Sequence, residues 1–87
     1  MSARENKYII ISGPEGLELP IIIPSMLDHD SVIKSGINVI SAGFCFIEPE
    51  GTIFDVWCFG KSTTLNVSSR GDEDAKLIQF LLKRSAV

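Results

Sequence analysis

The one histidine of the chain stands between two carboxylates, in Asp28-His29-Asp30. An acid–base pair needs two titratable side chains facing one another, and residues adjacent on a helix do not share a face. A zinc site needs three or four ligands, and there is no second histidine to supply one. The triplet therefore reads as a solvated helix start, with modest pH sensitivity at His29 at most. Cys45 and Cys58 are the only cysteines. They form no Cys-x-x-Cys pair, and no second pair completes a metal site. Both are expected to be buried thiols that pack as small apolar side chains.

Gly60-Lys61-Ser62-Thr63 has the look of a phosphate-binding loop. That loop needs a glycine five residues before its Gly-Lys pair, where Asp55 stands, and a helix after the lysine whose amides cradle phosphate. The residues that follow Lys61 alternate like a strand, so the loop is rejected. Ser12, Ser41, Ser62, Ser68 and Ser69 are available hydroxyls, but none sits in a nucleophile-elbow motif, and one histidine is too few for a triad. Arg70-Gly71-Asp72 reads as a turn entering a helix rather than an adhesion tripeptide. No catalytic residue, cofactor or metal ligand is assigned. An enzyme or small-ligand reading would have to build its site from Asp55, Lys61, Arg70 and the hydroxyls near Gly60.

Ile53 to Phe59 carries more information. Strand alternation puts Phe54, Val56 and Cys58 on one face as core residues. The other face carries Ile53, Asp55, Trp57 and Phe59, with Lys61 next in line. Tryptophan is enriched at binding hot spots, so these five residues form a candidate interaction surface. The competing reading packs Trp57 and Phe59 into a second small core with the N-terminal hairpin.

Several elements must position these residues. Lys7–Ser12 is a β-branched run, Gly13-Pro14-Glu15-Gly16 a tight turn, and Leu17–Ile23 the returning strand. Pro20 lacks an amide hydrogen, which puts this strand at a sheet edge or Pro20 at a bulge. Residues 25–34 read as a short, weak helix, capped by Ser25 or Asp28 and stopped at Gly36. Ile37–Glu48 and Thr52–Phe59 are strands joined through Glu48-Pro49-Glu50-Gly51, and Lys61–Ser68 reads as a further strand. Asp72–Arg84 is a helix: acids fill its first turn, Lys83 and Arg84 its last, and Ala75, Leu77, Ile78, Leu81 and Leu82 make an apolar stripe. Phe80 widens the stripe enough for cover on two sides.

The expected fold is α+β, in the order β-β-α-β-β-β-α. An antiparallel twisted sheet of four to five strands carries the C-terminal helix on one face. The 87 residues allow a single domain, and residues 1–6 are expected to be flexible. Isoleucines occupy both faces of the first hairpin, so the face away from the helix needs cover. A second copy in a homodimer is the simplest candidate.

The chain is 45% apolar, with positive mean hydropathy, which is rich for its length and favours an interface. The net charge of −3 argues against nucleic acid, whose binders carry a basic stripe. Nucleic-acid binding would have to rely on Lys61, Arg70, Lys76 and Lys83. No run approaches the roughly 18 apolar residues of a membrane span, and no targeting segment is evident.

Ile40-Ser41-Ala42-Gly43-Phe44, Phe59-Gly60-Lys61-Ser62, and Ser69-Arg70 with Asp74 and Leu77-Ile78 resemble small proteins encoded by tailed bacteriophages and prophages. The resemblance runs from Val39 to Ile78 and brings no activity or functional residue with it. It implies a bacterial cytoplasmic setting and an accessory role. The combined expectation is a non-enzymatic interaction module that binds or inhibits a host protein.

Overall fold

The computed structural model describes residues 4–28, 37–51 and 53–85. The elements are β1 (Arg4–Ser12), β2 (Glu18–Ile23), β3 (Val39–Glu50), β4 (Ile53–Phe59), β5 (Lys61–Ser62), β6 (Val67–Ser68) and α1 (Asp72–Ser85). The fold is α+β: an antiparallel four-stranded sheet in the order β2-β1-β3-β4, a small β5–β6 ladder, and one C-terminal helix on the sheet. Most of the helix expected at residues 25–34, with His29 and Asp30, lies outside the described residues. Asp28 lies within them, exposed and 3.9 Å from the Lys7 ammonium.

β1 begins at Arg4 and occupies an interior position, so its run of β-branched residues is flanked by strands on both sides. β2 is an edge strand, which accommodates Pro20: the missing amide would be a loss only inside the sheet. Between β1 and β3 the register shifts at Ile10/Ile11. This bulge inserts Ile40 and resets the alternation of β3.

The strand alternation sorts two cores. On the helix side, Tyr8, Ile10, Cys45 and Val56 pack with Ala75 and Ile78 of α1, supported by Ile22, Ile40, Ile47, Phe54, Cys58, Leu77 and Leu82. Complete burial of a side chain such as Ile78 is worth about 1.5–3 kcal/mol. Among the described residues the helix packs on the sheet through one side. Phe80, expected to widen the covered stripe, is 61% exposed.

On the opposite face, Ile9, Ile23 and Ala42 pack with Ile11, Ile21, Val39, Leu65 and Val67. The cover expected from a second copy is supplied over this part of the sheet by the chain's own β5–β6 hairpin. That hairpin also corrects the single strand expected over residues 61–68. Ser62 Oγ accepts the Leu65 amide at 3.2 Å, and Asn66 takes φ 56°. Asparagine tolerates this left-handed conformation better than most residues, so the chain reverses where alternation alone implied continuity.

Candidate functional site

Where the hairpin stops, the helix-free face stays open. β3 and β4 are in register with Phe44 opposite Phe59, Phe46 opposite Trp57, Glu48 opposite Asp55 and Glu50 opposite Ile53. Directly opposed residues share a face, so four aromatics lie together. Phe59 stacks on Phe44 (centroids 6.0 Å, 26° between planes) and on Phe46 (5.4 Å, 24°). Trp57 is 50% exposed, Phe59 39% and Ile53 59%. The second core with the N-terminal hairpin does exist, but Trp57 and Phe59 are not in it. They extend a separate aromatic platform, to which Phe44 and Phe46 also belong. The alternation of β3 carried the signal for these two phenylalanines, but only the strand register shows which face they join.

The carboxylates around the platform are crowded. Asp55 sits opposite Glu48 and bonds to Glu50. That contact, with repulsion from Asp55 and Glu48, pushes the Glu50 carboxyl above the ordinary carboxylate range. Glu5, opposite Phe46 on β1, adds a fourth acid to the same face.

A second constellation lies on the helix side. The Tyr8 hydroxyl lies 2.5 Å from both Asp74 Oδ2 and Ser69 Oγ. Asp74 is completely buried. Its Oδ2 also accepts the Arg70 amide at 2.9 Å, and its Oδ1 accepts Arg70 Nε at 2.8 Å. The other end of the guanidinium reaches Glu18 on β2, with Nη2 to Oε1 at 2.9 Å and Nη1 to Oε2 at 3.3 Å. Ser69 Oγ accepts the Gly71 amide at 2.9 Å.

Burial pushes the Asp74 carboxyl up, but the bonds from Tyr8 and from the Arg70 amide and guanidinium outweigh it, and the pKa ends below the usual range. Ser41 is buried too, and its Oγ has no partner at hydrogen-bond geometry among the described residues. Burial, and then the bond to Asp74, raise Tyr8 well above an ordinary phenol. The bonds to Glu18 raise Arg70 further. The single guanidinium bridges Asp74 and Glu18, and the cluster clamps the loop before α1 onto β1 and β2. The acids of the first helical turn, expected to serve the helix dipole, thus include one that turns inward.

The residues of the ligand-site reading are not brought together. Arg70 is held on the helix side by Glu18, Glu73 and Asp74. Asp55 faces the other side, and Lys61 lies beyond the bend at Gly60. Lys61-Ser62 is followed by a turn and not by a helix, and Gly71 leads straight into α1. Among the described residues no group of three His, Cys, Asp or Glu could hold a metal ion, and no helix is long and apolar enough to cross a membrane. No protein family, curated protein or solved structure matches the chain.

Proposed function

We propose that the chain is a small non-enzymatic interaction module that docks a partner protein on the open face of β3 and β4. The contiguous platform of Phe44, Phe46, Trp57 and Phe59 carries this reading, because large aromatics left half exposed on one face are what binding hot spots are made of. The resemblance of residues 39–78 to phage-encoded proteins supports a partner in the bacterial cytoplasm, with inhibition of a host protein as one form of the activity. Aromatics on a sheet can also stack nucleic-acid bases. The acids around this platform oppose that use, since phosphate binding relies on cations.

The test is a photo-crosslinking residue placed at Trp57, with a second placed at Lys76 on exposed helix surface. Position 57 should yield a discrete adduct in host cytoplasm that position 76 does not give, and Phe59→Ser should remove it. Equal or absent adducts at the two positions would reject the docking face. An adduct of the chain with itself would identify the platform as a homodimer interface.

A further inference from the structure

Glu5, Glu48, Glu50 and Asp55 flank the aromatic platform, and the fold supplies them with little compensation. Like charges directly across a strand pair destabilise a sheet, and Glu48 stands directly opposite Asp55. Among the described residues no cation pairs with Glu48, Glu50 or Asp55. Lys7 lies on the same face opposite Phe44, but its ammonium is turned away to the Leu27 carbonyl at 2.7 Å and to Asp28. Arg70 is committed to the clamp on the far side. Lys61 lies six positions along the chain from Asp55, past the Gly60 bend.

β4 is also an edge strand. The opposite edge, β2, is blunted by Pro20, a common defence against strand addition. β4 has seven residues and no proline. α1 packs along the other face of β4, and its Gln79 side chain donates to the Phe54 carbonyl at 3.3 Å. An extended segment added at this edge would set every second side chain beside Ile53, Asp55, Trp57 and Phe59.

We infer that the partner presents an extended basic segment that pairs along β4, with Arg or Lys facing Glu48, Glu50 and Asp55 and apolar side chains over Trp57 and Phe59. This rests on the docking-face reading above. A guanidinium suits both halves of the surface, because it pairs with carboxylates and stacks on aromatic faces. A second copy of the chain suits it less well, since two such faces would carry the acidic excess twice.

Trp57 is the only tryptophan, so its emission reports on the platform directly. The probe is a twelve-residue peptide whose odd positions are in turn arginine and valine, with threonine at every even position so that both types share one face, compared with versions carrying Gln for every Arg or N-methylated on alternate amides. The arginine peptide should shift Trp57 emission saturably. Affinity should fall roughly tenfold or more on replacing arginine by glutamine or on raising the salt concentration. The triple variant E48Q/E50Q/D55N, checked for folding by circular dichroism, should no longer distinguish the arginine and glutamine peptides.

Equal binding of the two peptides by the wild-type chain overturns the basic partner and leaves the docking face standing. Undiminished binding of the N-methylated peptide overturns pairing along β4. No binding of any peptide overturns the inference, while the crosslink at position 57 decides the docking face separately.

Discussion

The Tyr8 hydroxyl donates to the buried carboxylate of Asp74 at 2.5 Å, joining two residues 66 positions apart in the chain. Tyr8→Phe keeps the ring in the core but removes a bond from the buried Asp74 and a partner from Ser69. Leaving a buried acceptor short of a donor costs about 1–3 kcal/mol. The variant should fold, with its unfolding free energy from urea titration lowered by that amount. Combined with Asp74→Asn, the loss should be clearly less than the sum of the single losses. Additive losses would show that the two groups are not coupled.

Acid should loosen the clamp. Asp74 and Glu18 both have pKa values lowered by folding. Their contribution is therefore present above the unfolded values, about 3.9 and 4.3, and is lost as pH falls through the lower folded values. Stability measured by urea unfolding should drop below about pH 4, and Asp74→Asn should flatten that drop while lowering stability at neutral pH.

Glu50 runs the other way. Its pKa is raised by folding, so its contribution is present at low pH and lost as pH rises through the folded value. Glu50→Gln should raise the midpoint at neutral pH and leave it unchanged near pH 3, where the carboxyl is protonated in both states. A lower midpoint at neutral pH would show that the crowding of Asp55 and Glu48 costs the fold nothing.

Two backbone positions should respond in opposite senses. A Cβ on Gly43 would lie 2.5 Å from the Phe59 carbonyl oxygen and 3.1 Å from Ser69 Cβ. Gly43→Ala must therefore push apart β3, the end of β4 and the clamp loop. It should cost more than about 3 kcal/mol, in the range of the most damaging single substitutions. Asn66→Gly should be neutral or slightly stabilising, and Asn66→Val should cost about 1–2 kcal/mol, because φ 56° is left-handed. Thermal melts followed by circular dichroism would show both effects.

The two thiols should be inert. Cys45 and Cys58 lie directly opposite each other on β3 and β4. Burial pushes Cys45 up to about 11; burial, and then the neighbouring Cys45, push Cys58 up to about 12. At pH 8 the reactive thiolate is on the order of a thousandth or less of either group. Iodoacetamide should leave both untouched in the native protein and label both in urea. Rapid native labelling at either site would contradict this burial.

The strands, the C-terminal helix and the edge position of Pro20 were legible because period and proline chemistry are local signals. The helix-facing role of Phe54, Val56 and Cys58 and the outward face of Ile53, Trp57 and Phe59 were legible for the same reason. Residues 61–68 misled because Thr63, Leu65 and Val67 alternate as a strand would, while the reversal rests on one side-chain hydroxyl and one left-handed asparagine. The clamp was illegible. Tyr8, Glu18, Ser69, Arg70 and Asp74 belong to three separate stretches and meet only once the register is set. The same holds for Phe44 and Phe46, whose place on the platform depends on pairing with β4.

β1 lies inside the sheet, and its second flanking strand, its helix cover and the partners of its buried hydroxyl all come from Val39 onward. During synthesis β1 and β2 can pair as a hairpin, but the space beside Tyr8 stays open until residues 69–78 emerge. The isoleucine-rich ribbon of β1 and β2 thus has neither its hairpin nor its helix cover until residues 65–78 have been synthesised. Cover reaches this ribbon only through contacts distant in sequence, so a nascent chain carrying it gains from protection at the ribosome.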